Sequence, residues 1–153
     1  MKNEYDKKRE ILKDIILSEE NVLTQLGRIV QFVKPFFKIE GNTGRVVLST
    51  NFAFTNYEKL YLVILGKYLA YHSSILDQES VQIAVLADEL GIKVTTLSGP
   101  LGRLIKNHAV NKPQKDTYQV NPHRIEVTMQ ILSNKYLADS KRKTRTARKK
   151  QRK

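Results

Sequence analysis

Apolar positions recur along this chain at two spacings, and the switches between them mark its elements. Val22, Leu23, Leu26, Ile29, Val30 and Val33 fall at offsets 0, 1, 4, 7, 8 and 11. That is a 3.6-residue stripe, and it predicts an amphipathic helix ended by Pro35. Upstream, Ile11, Leu12, Ile15 and Ile16 stand among charges and predict another amphipathic helix over residues 3 to 17. Ser18 follows as a cap, with Glu19 and Glu20 in the electropositive first turn of the second helix. Residues 36 to 40 and 45 to 48 are β-prone runs around Gly41-Asn42-Thr43-Gly44, which predicts a hairpin.

Thr55-Asn56-Tyr57-Glu58 has the form of a capping box and opens an apolar helix reaching about His72. It carries two stripes, Leu60, Ile64, Tyr68 and Tyr71 on one side and Leu62, Leu65 and Leu69 on the other. Such a helix is covered on most sides and lies at the centre of the core.

The last third reads as helix, turn, helix, two strands, helix. Residues 80 to 83 are a short β-prone entry, and a short helix over residues 84 to 90 is closed by Gly91. The next helix runs through Leu97, Leu101, Leu104 and Ile105, with its regular part expected to start near Leu97 or Ser98, because Pro100 belongs in a first turn. Residues 111 to 114 and 117 to 120 flank Lys115-Asp116 as a tight hairpin. Asn121-Pro122 caps a final helix whose buried face is Ile125, Met129 and Leu132.

Charge changes the picture at the C-terminal end. Nine of the fourteen residues from Ser140 on are basic, namely Lys141, Arg142, Lys143, Arg145, Arg148, Lys149, Lys150, Arg152 and Lys153, and none is acidic. They supply most of the formal charge of +12, leaving 18 basic against 15 acidic residues elsewhere. Like charges repel and little apolar surface is available, so this segment is expected to be disordered when free. It suits non-specific attraction to closely spaced phosphates, with a log-log salt slope of at most about −8 if every charge engaged B-DNA. A solubilising tail and an arm for an anionic membrane are the other readings. No acylation motif or long basic amphipathic helix supports the membrane.

Composition excludes several chemistries. Zero cysteines removes disulfides, thiolate zinc sites and thiol nucleophiles. The longest apolar run, residues 60 to 65, is too short to span a bilayer, and the acid-containing N-terminus does not resemble a signal peptide. The expected location is the cytoplasm, in association with the nucleoid or the ribosome. No phosphate-binding Gly-rich loop, metal-spaced His pair or serine elbow is present. His72, His108 and His123 are scattered and read as surface or capping residues, and Asp88-Glu89 as a solvated helix face. No enzyme, cofactor or metal is expected.

The segment from Ala87 to Leu97, with Gly91 in its turn and Thr95-Thr96 at the next helix, resembles the helix-turn-helix core of winged-helix proteins. Residues 103 to 110 resemble that family's passage from recognition helix to wing, and residues 118 to 122 its return strand and terminal helix. The resemblance covers about residues 55 to 137. It implies a winged helix-turn-helix domain over residues 55 to 137; with the helical and β-hairpin extension over residues 1 to 54 and the basic tail from residue 138 to 153 read from pattern and charge, the expected fold is α+β, mainly helical. The resemblance further implies a second motif helix in a DNA major groove, with the wing along the backbone or minor groove. Thr95, Thr96, Ser98, Arg103, Lys106 and Asn107 are then candidates on the recognition helix, and Lys112, Gln114 and Lys115 on the wing. Arg103 alone suits a bidentate guanine contact, whereas the hydroxyls suit phosphates at a helix N-terminus.

Ser98-Gly99-Pro100-Leu101-Gly102 departs from the long polar side chains of a base-reading helix. Close packing of Gly99 and Gly102 on the apolar helix of residues 60 to 71 is the favoured reading, approach of a phosphate, RNA or protein the other. That interruption, the nearly neutral body and the concentration of charge in the tail weigh against DNA, but the turn motif, the two wing lysines and Arg103 with Lys106 on one side of the helix favour it, as the partner of a transcription regulator or chromosome-associated factor. The alternative is an RNA- or protein-binding accessory of the ribosome or another ribonucleoprotein. The helices over residues 3 to 34 need a covering surface, either the winged-helix core or a second copy. A homodimer through them would set two recognition helices roughly 34 to 36 Å apart.

Overall fold

The second stripe of the sequence becomes α1 (Glu19–Val33), in which Ile29 and Val33 are buried and Leu26 is half-buried. The computed structural model describes Lys7 and residues 19 to 137, with side chains from Thr24 on, apart from that of Lys7, which is exposed. The expected first helix, the Ser18 cap and the basic tail lie outside the described residues, Lys7, which is helical, excepted. After α1 the Pro35 turn leads into β1 (Phe37–Ile39), which pairs antiparallel with β2 (Val46–Leu48) in the register Phe37 to Leu48. The pairing extends beyond the strands, since the Glu40 amide donates to the Arg45 carbonyl (2.9 Å) and the Ser49 amide to that of Phe36 (2.7 Å).

The hairpin lies on α2 (Asn56–His72), whose residues 60 to 70 are all buried. Gly66 makes this approach feasible, because a Cβ there would collide with the Val46 side chain. The capping box is formed in full: the Glu58 amide donates to Thr55 Oγ1 (3.2 Å) and the Thr55 amide to Glu58 Oε1 (2.9 Å). Tyr71 departs from its expected stripe and is exposed at the helix end.

On another side of α2 stands a three-stranded antiparallel sheet of order β3-β5-β4, made by β3 (Val81–Gln82), β4 (Val110–Gln114) and β5 (Thr117–Val120). Between β3 and β4 come α3 (Ile83–Leu90) and α4 (Val94–Lys106). Gly91 takes φ 65 at the end of α3, and its amide and that of Ile92 close on the Ala87 and Asp88 carbonyls. The β4–β5 turn places Asp116 at φ 57, and the register shifts between Asn111 and Gln114, around Pro113.

Two expectations for α4 are corrected. The helix starts at Val94 rather than near Leu97 or Ser98, so Pro100 sits in its interior at the cost of one backbone hydrogen bond to the Thr96 carbonyl. Burial of Leu97, Leu101 and Leu104 on one face holds the helix regardless. Gly99 and Gly102 do not pack on α2: both are exposed, and a Cβ at either would meet nothing within 4 Å.

The Asn121 carboxamide caps the chain's last turn into helix, accepting from the His123 amide (3.2 Å) and donating to the His108 carbonyl (2.8 Å). A 3-10 turn (Pro122–Arg124) runs into α5, residues 125 to 137, which buries Ile125, Met129 and Leu132 as expected. At its far end Tyr136 joins Phe36, Phe52 and Phe54 in an aromatic cluster with centroids 5.2 to 6.4 Å apart. The buried apolar side chains from Ile29 to Leu132 form one cluster. The fold is thus α+β, with five helices and two small antiparallel sheets among the described residues.

Candidate nucleic-acid interface

The nine candidate residues of the body fall into three groups. Thr95, Thr96 and Ser98 are exposed in the first turns of α4. The Thr96 amide is already spent on the Lys93 carbonyl (3.0 Å), and the Ser98 hydroxyl donates to the Thr95 carbonyl (3.0 Å). Lys112, Gln114 and Lys115 are exposed on the β4–β5 hairpin, where the Lys112 ammonium lies 5.9 Å from the Tyr118 ring centroid. Alternation along β5 buries Tyr118 and Val120, which fixes the hairpin to the core by one face.

Arg103, Lys106 and Asn107 meet elsewhere, at the C-terminal end of α4. Asn107 is the cap of that helix rather than part of it, and its Nδ2 donates to the Tyr57 hydroxyl (2.9 Å). The Arg103 guanidinium lies over the same ring, 5.4 Å from its centroid. A cation–π contact at such an exposed site contributes about 0.5–1 kcal/mol. A guanine contact by Arg103 would therefore compete with Tyr57.

These three side chains line a groove of about 840 Å³ between the start of α2, the end of α4 and α5. Its walls also hold His108, expected only as a surface or capping residue, and Arg124 and Lys135, which the sequence reading did not single out. Val127 and Ile131 complete it, 53% and 63% exposed. A second stripe, Arg124 in the 3-10 turn followed by Val127, Thr128, Ile131 and Lys135 on α5, was the available signal, since these positions share a face that the buried Ile125, Met129 and Leu132 do not occupy.

Glu58 is the acidic residue in this lining, and it is internally neutralised. Its buried carboxylate accepts from Lys135 Nζ (2.9 Å), from the Tyr136 hydroxyl and from the Thr55 amide. Burial pushes this carboxyl up, but the three hydrogen bonds and the Lys135 charge together hold it below the ordinary glutamate value. The hydrogen bond to Glu58 raises Lys135 in turn. Tyr61, 1% exposed, brings its hydroxyl to the groove floor beside Thr128 without a hydrogen bond of ordinary geometry, and burial raises its pKa.

A different pair corrects the expectation of a solvated Asp88-Glu89 face. Glu89 reaches back from α3 to form an ion pair with Lys67 in the middle of α2, and Lys67 Nζ also donates to the Gly44 carbonyl (3.1 Å). The scattered histidines behave as surface groups: His72 packs on the Tyr68 and Tyr71 rings, His108 takes φ 60 after α4, and His123 is exposed. Among the described residues no cluster of His, Asp or Glu could hold a metal ion, and no helix is long and apolar enough to cross a membrane. No family model, curated protein or solved structure matches the chain.

Proposed function

We propose that this protein binds nucleic acid through α4 and the β4–β5 hairpin, arranged as a winged helix-turn-helix, with DNA as the favoured partner and the basic segment beyond residue 138 adding non-specific affinity. One observation carries the reading. From Lys93 to Val120 the chain displays five exposed cations, Lys93, Arg103, Lys106, Lys112 and Lys115, against the single acid Asp116. A helix followed by a ribbon, both cationic and both fixed to one core, fits the contour of a duplex, where phosphate contacts orient and base contacts specify. The order helix, strand, helix, helix, hairpin supports it, as does the tight Gly91 turn between α3 and α4. Such a protein serves as a transcription regulator or chromosome-associated factor, with non-specific Kd of about 10⁻⁴ to 10⁻⁶ M at physiological salt.

A second reading is an accessory of the ribosome or another ribonucleoprotein. It is favoured by the outward stripe of α4, where Thr95, Ser98, Gly99 and Gly102 offer no long side chain for base edges. Binding of the full chain and of residues 1 to 137 to duplex DNA and to structured RNA over a salt series separates the two. Retained affinity of the truncated body for DNA, reduced by Arg103→Ala, supports the first reading. Loss of all affinity with the tail contradicts it, and preference of the body for RNA selects the second.

A further inference from the structure

The groove between α4 and α5 shares Arg103 and Lys106 with the proposed nucleic-acid surface, but Arg124, Val127, Ile131 and Lys135 give it a chemistry of its own. Four permanent cations, Arg103, Lys106, Arg124 and Lys135, surround it, and the one acid in the lining, Glu58, is already satisfied from inside. The charge left over is positive, so an occupant must be anionic. Between these cations lie Val127 and Ile131, one helical turn apart on α5 and more than half exposed. Two aliphatic side chains at i and i+4 form the footprint that an amphipathic helix matches with its own apolar stripe.

Nucleic acid fits the same groove poorly. A duplex offers phosphates but no aliphatic surface, and single strands bind by stacking on open aromatic faces. Tyr57, which lines the groove, carries the Arg103 guanidinium on its face, and its hydroxyl accepts from Asn107; Tyr136 likewise lies under the Lys135 ammonium, 5.1 Å from its ring centroid. We infer that this groove is the docking site for an acidic amphipathic segment of a partner protein, whose apolar stripe covers Val127 and Ile131 and whose carboxylates meet Arg103, Lys106, Arg124 and Lys135.

The test uses the full chain and a fluorescent synthetic peptide of about 15 residues, with Leu at helical i, i+3, i+4 and i+7 positions and Glu elsewhere. A second peptide has Ser in place of every Leu and keeps the charge, so it reports attraction by the basic tail alone. The expected result is binding of the Leu peptide at least about tenfold tighter than of the Ser peptide. Ile131→Ser and Val127→Ser should each weaken the Leu peptide about three- to tenfold, with the Ser peptide and duplex DNA unaffected. Arg124→Ser should weaken the Leu peptide by a similar factor. Thermal melts check folding, and Val127→Thr with Ile131→Val are the milder variants if either Ser variant is unstable. Equal binding of the two peptides, or indifference of the Leu peptide to every Val127 and Ile131 variant, overturns the inference. So does a loss of DNA affinity at Val127 and Ile131 without any effect on the peptide, which would assign the groove to nucleic acid.

Discussion

Lys67, 4% exposed in the middle of the most buried helix, is ion-paired with Glu89 of α3. The pair ties α2 to the short helix that precedes α4, and the Lys67 bond to the Gly44 carbonyl ties in the β1–β2 hairpin as well. Taking two charges out of water is costly, so such a pair is defined more by what happens when one partner leaves than by its own worth.

Glu89→Ala should therefore destabilise the protein by about 3–5 kcal/mol, because it strands an ammonium inside the core. Lys67→Met fills the same volume without a charge, and the carboxylate it releases is the more exposed partner, at 12% against 6% for the side chains. It should cost clearly less. Urea unfolding monitored by circular dichroism measures both, and an equal or larger loss for Lys67→Met would contradict this ordering.

Glu58 gives the fold a sensitivity to acid. Its folded-state pKa lies below the ordinary value near about 4.3. The stabilisation is thus fully present above that ordinary value, and is lost as pH falls through the lowered one. The melting temperature should drop across this window, and Glu58→Gln should flatten the drop while lowering the melting temperature at neutral pH. Melts between pH 7 and about pH 3 test this, and identical pH profiles for the two proteins would contradict it.

The same substitution should act with opposite signs at two glycines. Gly102→Ala adds a methyl to open solvent in mid-helix, and should stabilise by up to about 1 kcal/mol. Gly66→Ala drives a methyl into Val46 under the hairpin, and should destabilise by about 1–3 kcal/mol. Denaturant midpoints decide both. If a nucleic acid lies close along the outward stripe of α4, the stabilised Gly102→Ala protein should nonetheless bind it more weakly.

Most elements were legible because their patterns are local. The capping box at Thr55 and Glu58, the Gly91 stop, and the Asn121-Pro122 start each depend on residues a few positions apart. The start of α4 was misplaced because a proline rule was weighed without the burial of Leu97, Leu101 and Leu104, which outweighs one lost hydrogen bond. The role of Glu89 was invisible because its partner Lys67 is 22 positions away, a distance no helical periodicity encodes.

The candidate surface divides in the same way. Exposure of Thr95, Lys112 and Lys115 follows from alternation and phase, and was readable. The turn of Arg103 and Asn107 toward Tyr57 was not, since it depends on how the end of α4 meets the start of α2. The groove needed α5 in place, although Val127 and Ile131, apolar residues off the core stripe, hinted that its second face has work to do.

If α4 and the β4–β5 hairpin meet nucleic acid directly, as proposed, the hairpin lysines show it most cleanly, because Lys112 and Lys115 are exposed and outside the groove. The measurement is the affinity of residues 1 to 137 for duplex DNA, by fluorescence anisotropy over a salt series, with and without Lys112→Ala and Lys115→Ala together. Loss of two phosphate contacts should weaken binding and flatten the log-log salt slope by about 1.8. An unchanged affinity and slope, in a variant with an unchanged melting temperature, would contradict the account.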